Sequence, residues 1–213
     1  MNPFAPFLFH RYPGYIRWIW QRYIYTAHVR RLGVALEGQV FFSKCPIISK
    51  TSESIISIGD GSTLCSDSRA TALGVNHPVI LRTMRSGAML RIGRQVRMSG
   101  ATICAADKVA IGDRVVIGAN AVIVDTDFHA MDPVVRSSSI DEMEAAAEPV
   151  CIEEDVFIGS GVFVLKGVRI GRGAFIGAGS VVTRDVPAMA VAAGNPARVI
   201  GQIPGNTIRN GNK

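Results

Sequence analysis

Residues 152–182, IEEDVFIGSGVFVLKGVRIGRGAFIGAGSVV, carry an apolar residue at every sixth position. These apolar residues are Ile152, Ile158, Val164, Ile170, Ile176 and Val182. Helical faces recur about every 3.6 residues and one face of a strand every 2, so a sustained period of six fits neither element. Glycine directly follows three of these six residues, and a small or branched residue stands four positions after each of the six. This hexapeptide unit is typical of parallel β-helices.

The same period extends toward the N-terminus with interruptions. It is irregular over residues 38–93. Further repeat positions are Ile92, Met98, Cys104, Ile111, Ile117 and Ile123, with one extra residue after Cys104. His129 takes the next position, and residues 130–149 then lack the repeat. A loop of 20 residues that interrupts a solenoid is usually functional or disordered.

Composition and charge limit the classes of partner. The 213 residues are 48% hydrophobic, which excludes a mainly disordered chain. The formal net charge is +6, but five arginines and no acidic residue precede Glu37, so the remainder carries only +1. A nearly neutral body argues against a nucleic-acid-binding stripe along the repeats.

The spacing of the cysteines indicates whether the protein binds a metal, and the N-terminal residues indicate its cellular compartment. The four cysteines form no CxxC pair and lack the spacing of a zinc site or a disulfide framework, so we expect no metal. The first ten residues lack a basic segment and contain two prolines, which argues against a secretory signal. No run of 18 apolar residues is present. These features predict a cytoplasmic protein.

Residues 13–32 read as a helix, with Pro13 suited to its first turn and Gly33 to its end. One stripe of this helix is aromatic and aliphatic, and arginines supply its charge. Two interpretations are open. The helix either covers the open end of the β-helix or packs against a neighbouring subunit, or it lies peripherally on the inner face of a membrane. We favour the cap, because aromatic stripes at helical spacing are more often buried.

Three segments in the C-terminal half resemble a known family. They are residues 156–160 (VFIGS), 176–187 (IGAGSVVTRDVP) and 192–200 (AAGNPARVI). They are similar to the acyl-CoA-binding half of the hexapeptide-repeat acetyltransferases, and within that superfamily to the galactoside, maltose and polysaccharide O-acetyltransferase branch. The resemblance is strong over residues 92–200 and weak over 38–91. It implies an all-β, left-handed parallel β-helix of triangular section, assembled as a homotrimer with active sites at the subunit interfaces.

The resemblance also implies a catalytic residue. His129, in residues 125–129 (DTDFH), matches the catalytic histidine that stands just before the protruding loop of the family. Phe157 occupies the position of a family tryptophan at the acyl-CoA site, and Gly201 replaces a further basic residue. We expect the first departure to alter packing at the thioester and the second to alter affinity for phosphate.

Other positions match contacts with coenzyme A. Ser160 matches a contact near the thiol end, and Ala178 matches one made along the pantetheine arm. Thr183, Arg184 and Arg198 match positions near the nucleotide and its phosphates. Guanidinium groups pair well with phosphate oxygens, although each arginine could instead be a solvated surface charge.

His129 is also singled out by the repeat itself. The period would direct its side chain inward, where an unpartnered imidazole costs several kcal/mol, so the chain must leave the coil there. A histidine at the lip of a groove is suited to take a proton from a hydroxyl or an amine. Asp127 lies on the same side if the segment is extended, and could hold the other ring nitrogen. The alternative is that His129 only caps the last strand before the loop.

The sequence therefore predicts an acetyl-CoA-dependent O-acetyltransferase that acts on a hydroxyl of a sugar or polysaccharide precursor, with acetyl-CoA as co-substrate. Two alternatives are an N-acetyltransferase of an amino sugar or nucleotide-sugar and a non-catalytic β-helix scaffold. A metal-dependent hydratase is disfavoured, since only His77 and His129 lie in the repeat region. The predicted organisation is an N-terminal arm (1–37), a β-helix domain (38–200) and a flexible tail (201–213).

Overall fold

The computed structural model describes residues 15–140 and 144–204, and for residues 15–22 it describes the backbone alone. The helices are α1 (Tyr15–Arg31), α2 (Pro133–Arg136) and a 3-10 helix (Ser68–Ala70). Sheet A contains β1 (Ala35–Leu36), β4 (Ile55–Ile58), β7 (Met89–Ile92), β10 (Lys108–Ile111), β13 (Val150–Ile152) and β16 (Arg169–Ile170). Sheet B contains β2 (Phe41–Ser43), β5 (Thr63–Cys65), β8 (Arg97–Ser99), β11 (Val116–Ile117), β14 (Phe157–Ile158), β17 (Phe175–Ile176), β19 (Ala190–Gly194) and β20 (Ala197–Gln202). Sheet C contains β3 (Ile47–Ser49), β6 (Ile80–Thr83), β9 (Thr102–Ala105), β12 (Val122–Val124), β15 (Phe163–Val164) and β18 (Val181–Val182).

The chain visits sheets A, B and C in turn, so three strands complete one coil of a three-sided prism. Strands of successive coils pair in parallel, with equivalent apolar residues in register: Ile117 lies opposite Ile158, and Ile158 opposite Ile176. The inward side chains form one continuous apolar column. Each fully buried Ile or Val in such a column stabilises the fold by ~1.5–3 kcal/mol. The predicted all-β parallel β-helix with an N-terminal helix and a protruding loop is confirmed.

Three edges run along the prism, and we name each by the two sheets that the chain connects there: edge AB, edge BC and edge CA. On edge BC, glycines follow the inward residues of sheet B at tight corners. A Cβ atom at Gly159 would lie 2.5 Å from the backbone nitrogen of Ala178 in the next coil. Glycine is therefore required there, because any larger residue would push neighbouring coils apart.

Helix α1 covers the N-terminal end of the prism. Val29 is fully buried in the apolar core, and Tyr25 packs against that core. The predicted helix over residues 13–32 is observed as Tyr15–Arg31, whereas Pro13 lies outside the described residues. These contacts support the cap interpretation. Within the described part of the chain, no helix is long and apolar enough to cross a membrane.

One predicted repeat position is wrong. Ile103, and not Cys104, is the inward residue of β9, since it is fully buried and lies opposite Ile123 in register. The period therefore shortens to five between Met98 and Ile103. Gly100 lies in this shorter corner with a φ of 52°, the left-handed conformation that Asn120 and Gly161 also adopt at the equivalent corners of regular length.

The ends of the β-helix also differ from the predicted boundaries. Strand β1 begins at Ala35, inside the predicted arm (1–37), because it pairs with β4 as part of the first coil. Strand β20 extends to Gln202, inside the predicted tail (201–213), because it pairs antiparallel with β19 and ends the prism.

Candidate active site

The chain leaves the prism at edge CA, directly after β12. Asp125 is fully buried there, and its carboxylate accepts hydrogen bonds from the backbone N–H groups of Ala106 at 2.6 Å and Asp107 at 2.8 Å. Burial raises the pKa of the Asp125 carboxyl, and these hydrogen bonds oppose the shift. Asp125 thus ties the start of the loop to the preceding coil.

His129 lies at the start of the protruding loop, and its side chain is exposed. Phe128, directly before it, has a φ of 64°, a left-handed conformation that residues other than glycine seldom adopt. The segment is therefore turned and not extended. The condition under which Asp127 and His129 would share one side, an extended strand, is not met, because the chain bends at Phe128 to leave the coil.

Asp127 has a partner that the sequence did not reveal. The Lys166 ammonium nitrogen lies 2.8 Å from the Asp127 carboxylate. The two side chains are 23% and 33% exposed, so the pair is partly shielded from water. Lys166 belongs to the next coil, 39 residues further along the chain, and no local motif links the two positions.

The loop is fastened at its base and supported from an earlier coil. Thr126 and Ala147 form an antiparallel bridge between its two ends. The guanidinium Nη2 of Arg85 donates a hydrogen bond to the carbonyl oxygen of Ala145 at 2.6 Å. Ala145 itself is buried at 3% exposure, so this part of the loop packs against the body. The sequence does not indicate this role of Arg85 either, because Arg85 lies 60 residues before its partner.

Edge BC carries the positions predicted to contact the thiol end and the pantetheine arm. Ser160 and Ala178 stack one above the other at equivalent corners, and the Ser160 hydroxyl donates to the carbonyl oxygen of Ala119 at 2.8 Å. A Cβ atom added to Gly161 or Gly179 would meet nothing within 4 Å. Small residues therefore leave an open strip along this edge.

Arg198 extends edge BC at the C-terminal end of the prism. It lies opposite Ala193 in the antiparallel pair of β19 and β20. Its exposed guanidinium Nη1 donates to the carbonyl oxygen of Ala197 at 2.8 Å. A Cβ atom at Gly177 would lie 2.9 Å from the Cβ of Ala193, which continues the stack of small residues below Ala178.

The structure brings the predicted residues together in two groups. Edge BC holds Ser160, Ala178 and Arg198. Edge CA holds Asp127, His129, Thr183 and Arg184, the last two exposed directly after β18. Phe157 points outward from sheet B, where its ring stacks on Phe175. Because sheet C separates the two edges within one chain, a single copy does not unite the two groups.

His77 lies near edge BC in the segment between β5 and β6. Its Nδ1 atom lies 2.8 Å from the carbonyl oxygen of Pro78, a contact that fits a structural turn. Within the described residues, no group of three His, Cys, Asp or Glu side chains could hold a metal ion.

Two segments match known families of repeats. Residues 152–184 match the family described as bacterial transferase hexapeptide (six repeats), and residues 108–124 match the hexapeptide repeat of succinyl-transferase. No curated protein sequence matches this chain. The chain thus contains hexapeptide repeats of the bacterial transferase type, which confirms the predicted resemblance. An acyltransferase is the class of enzyme that these matches support.

Solved structures of acyltransferases are also similar to this chain. A galactoside acetyltransferase in complex with coenzyme A is 25% identical over 88% of this chain and 80% of that chain, with a TM-score of 0.53. An N-acyltransferase from Bacillus cereus, in complex with dTDP-4-amino-4,6-dideoxyglucose and coenzyme A, is 16% identical over 84% of this chain and 89% of that chain, with a TM-score of 0.59. The second likeness concerns the fold alone, and agrees with the predicted left-handed β-helix.

A third structure matches over a shorter range. The hexapeptide-repeat acetyltransferase from Vibrio cholerae, complexed with acetyl coenzyme A, is 32% identical over 53% of this chain, with a TM-score of 0.49. The match spans 60% of the length of that protein.

Proposed function

We propose that this chain is an acetyl-CoA-dependent O-acetyltransferase whose acceptor is a hydroxyl of a sugar or polysaccharide precursor. The observation that carries the proposal is the exposed His129 at the point where the loop leaves edge CA. Histidine is the side chain best suited to accept a proton near neutral pH. The transferase-type repeats and the likeness to a coenzyme A-bound galactoside acetyltransferase support acetyl-CoA as the donor.

The proposed reaction is a direct transfer in a ternary complex. His129 takes the proton of the acceptor hydroxyl while the hydroxyl oxygen attacks the thioester carbonyl carbon. A C–O bond forms and the C–S bond breaks, and the imidazolium returns the proton to the departing thiolate of coenzyme A. Backbone N–H groups at the coil corners would stabilise the oxyanion of the tetrahedral intermediate. Asp127 is proposed to hold the region of His129 in place.

The small-residue strip of edge BC fits the donor. Ser160 and Ala178 border the open space in front of Gly161 and Gly179, where an extended arm can approach the backbone closely. Arg198 stands at the end of this strip with an exposed guanidinium, suited to a phosphate. Phe157 offers an aromatic face on the adjoining sheet.

A homotrimer would unite the two groups of residues. His129 lies on edge CA and Ser160 on edge BC, so edge CA of one copy must meet edge BC of another to complete a site. The outward faces of sheets B and C expose Phe157, Phe163 and Phe175, which are 36%, 44% and 40% exposed in a single chain. Exposed aromatic surface of this kind is typical of protein interfaces.

The loop is proposed to form one wall of the acceptor site. Its acidic residues include Asp132, Glu144 and Glu148, all exposed, which favours a neutral or cationic acceptor over a strongly anionic one.

Two alternatives to O-acetylation remain. An amino sugar would react by the same steps, with nitrogen as the attacking atom, and the chain would then be an N-acetyltransferase. A β-helix scaffold without enzymatic activity is the second alternative.

We place the reaction in the cytoplasm, with α1 as a cap. Tyr23 and Ile24 are 68% and 58% exposed on this helix, near the exposed Arg30 and Arg31, and this is the side that would contact an anionic membrane peripherally. Co-sedimentation of the protein with anionic vesicles, and not with neutral ones, is the result that would establish such contact.

The test is incubation of the purified protein with acetyl-CoA and a panel of sugars, amino sugars, nucleotide-sugars and oligosaccharides, with free thiol as the readout. Thiol release that depends on a hydroxyl-bearing sugar is the expected result. Release only with amino sugars would replace the proposal by N-acetylation. Failure of the protein to bind coenzyme A at all would favour the scaffold.

A further inference from the structure

We propose that Lys166 is a positioning residue of this transferase, which acts through Asp127 to hold the turn that carries His129. This inference rests on the proposed function. Its basis is the ion pair between the Lys166 ammonium and the Asp127 carboxylate, at a nitrogen–oxygen distance of 2.8 Å. A partly shielded ion pair is held more firmly than a fully exposed one, and exposed pairs contribute little to the stability of a protein.

The turn between these residues needs support from outside. Phe128 has a φ of 64°, and its backbone N–H donates a hydrogen bond to the Thr126 hydroxyl at 3.2 Å. A residue other than glycine persists in this conformation only where its surroundings hold it. Asp127 precedes Phe128, and His129 follows it. Anchoring the Asp127 carboxylate therefore fixes the chain before the turn, and thereby the direction in which the chain leaves the turn toward His129.

The corner that supplies Lys166 contacts both ends of the loop. Lys166 binds Asp127 near the start of the loop, and the backbone N–H of Gly167 donates to the carbonyl oxygen of Glu148 near its end, at 2.9 Å. Gly167 has a φ of 74°, and a Cβ atom there would lie 2.6 Å from the Glu148 carboxylate. One corner of the next coil thus closes the base of the loop that presents His129.

Lys166 also balances charge at this position. Asp127 lies two residues from His129, and the Lys166 ammonium pairs with the Asp127 carboxylate. If Lys166 were removed, an unpaired carboxylate would turn toward other cations or water, and the turn would lose its anchor. Within one chain, sheet C separates Lys166 from the small-residue strip on edge BC, so we expect this loss to affect the chemical step more than the binding of acetyl-CoA.

The test compares Lys166→Met, Lys166→Arg, Asp127→Asn and the double variant Lys166→Met/Asp127→Asn as full chains, with an acceptor that the unaltered protein acetylates. We expect Lys166→Met to lower kcat by roughly tenfold with KM for acetyl-CoA unchanged. Lys166→Arg, which keeps the charge, should recover most of kcat. The double variant should be no slower than the slower single variant, because residues that act as one unit are not additive.

A matched control separates positioning from stability. Arg114 and Asp155 form an ion pair between coils at edge AB, with nitrogen–oxygen distances of 2.6 and 2.8 Å and with more exposed side chains, at 50% and 45%. Arg114→Met should leave kcat unchanged. The proposal is overturned if Lys166→Met keeps kcat within twofold, if KM for acetyl-CoA rises instead, or if Arg114→Met slows the enzyme equally.

The single variants distinguish a failure of this inference from a failure of the proposed function. If Lys166→Met fails to fold, Asp127→Asn carries the test alone, since it preserves shape and removes the charge; a kcat within twofold of the unaltered protein overturns the inference. If His129→Ala retains full activity, the proposed function fails independently of Lys166. Loss of activity in His129→Ala with normal kcat in Lys166→Met would reject the positioning role alone.

Discussion

The rings of Phe157 and Phe175 stack with their centroids 4.5 Å apart and their planes inclined by 14°. The two residues are equivalent outward positions of β14 and β17, in register on consecutive coils. Phe157 stands where the resembled family has a tryptophan, and the stack keeps an aromatic surface on sheet B despite that departure. Because both rings are more than one third exposed, this surface is available to another copy of the chain.

Replacement of Phe175 by Ser should weaken the association between copies. The change removes one ring of the stack from the proposed interface and leaves the inward column untouched. Light scattering coupled to size exclusion should show a trimer for the unaltered protein and a concentration-dependent shift to smaller species for Phe175→Ser. Arg91→Ser, on the outward face of sheet A, is the matched control and should keep the trimer. An unaltered protein that is monomeric would contradict the proposed assembly.

Gly159 and Gly179 should respond differently to replacement by Ala. At Gly159 the added Cβ meets backbone at 2.5 Å, so neighbouring coils must separate. At Gly179 the Cβ meets nothing within 4 Å, and the cost is that of a left-handed alanine, about 1–2 kcal/mol. Thermal or urea unfolding should therefore show the larger loss of stability for Gly159→Ala. Equal losses would argue against close backbone stacking at edge BC.

Removal of the Arg85 side chain should loosen the loop. Arg85→Met deletes the hydrogen bond to the carbonyl of Ala145, which is buried and would keep an unpaired acceptor. We expect faster limited proteolysis within residues 130–149 and a higher KM for the acceptor. Arg82→Met, an exposed arginine on the outward face of β6, serves as the control. Unchanged proteolysis in Arg85→Met would show that the loop is held by other contacts.

Asp67 should make stability depend on acid pH. Burial alone would raise the pKa of its carboxyl, but hydrogen bonds from Lys44 and Arg69 outweigh burial and lower the pKa to about 2. Since the ordinary value of 3.8 applies after unfolding, the stabilisation is present above about pH 4 and is lost as the pH falls toward 2. The difference in unfolding midpoint between the unaltered protein and Asp67→Asn should therefore shrink over that range. A constant difference would contradict the role of these ion pairs.

Much of the coil architecture could be predicted from the sequence, because each coil repeats one packing problem. Ile158 and Ile176 occupy the same inward position, so a period of six appears directly in the chain. The period fails at β9, where Ile103 and not Cys104 is the inward residue, because the corner between β8 and β9 contains one residue fewer. Such local shortening depends on backbone turns, which side-chain patterns report only indirectly.

The site was predictable in part. The sequence singles out His129, because an inward repeat position there is followed at once by a break in the repeat. Lys166 and Arg85 were missed, because their partners lie 39 and 60 residues away and only the stacking of coils brings them together. The turn at Phe128, with its positive φ, could not be anticipated from an aromatic residue that seldom adopts it.

The central claim is that His129 is the general base of an acetyl transfer, and His129→Ala tests it most directly. Transfer from acetyl-CoA to an acceptor of the unaltered protein should fall by roughly a hundredfold or more, with coenzyme A binding and melting temperature unchanged. His77→Ala, at a structural turn, should retain activity within a few-fold. Acetyl transfer by folded His129→Ala at the rate of the unaltered protein would contradict the proposed mechanism.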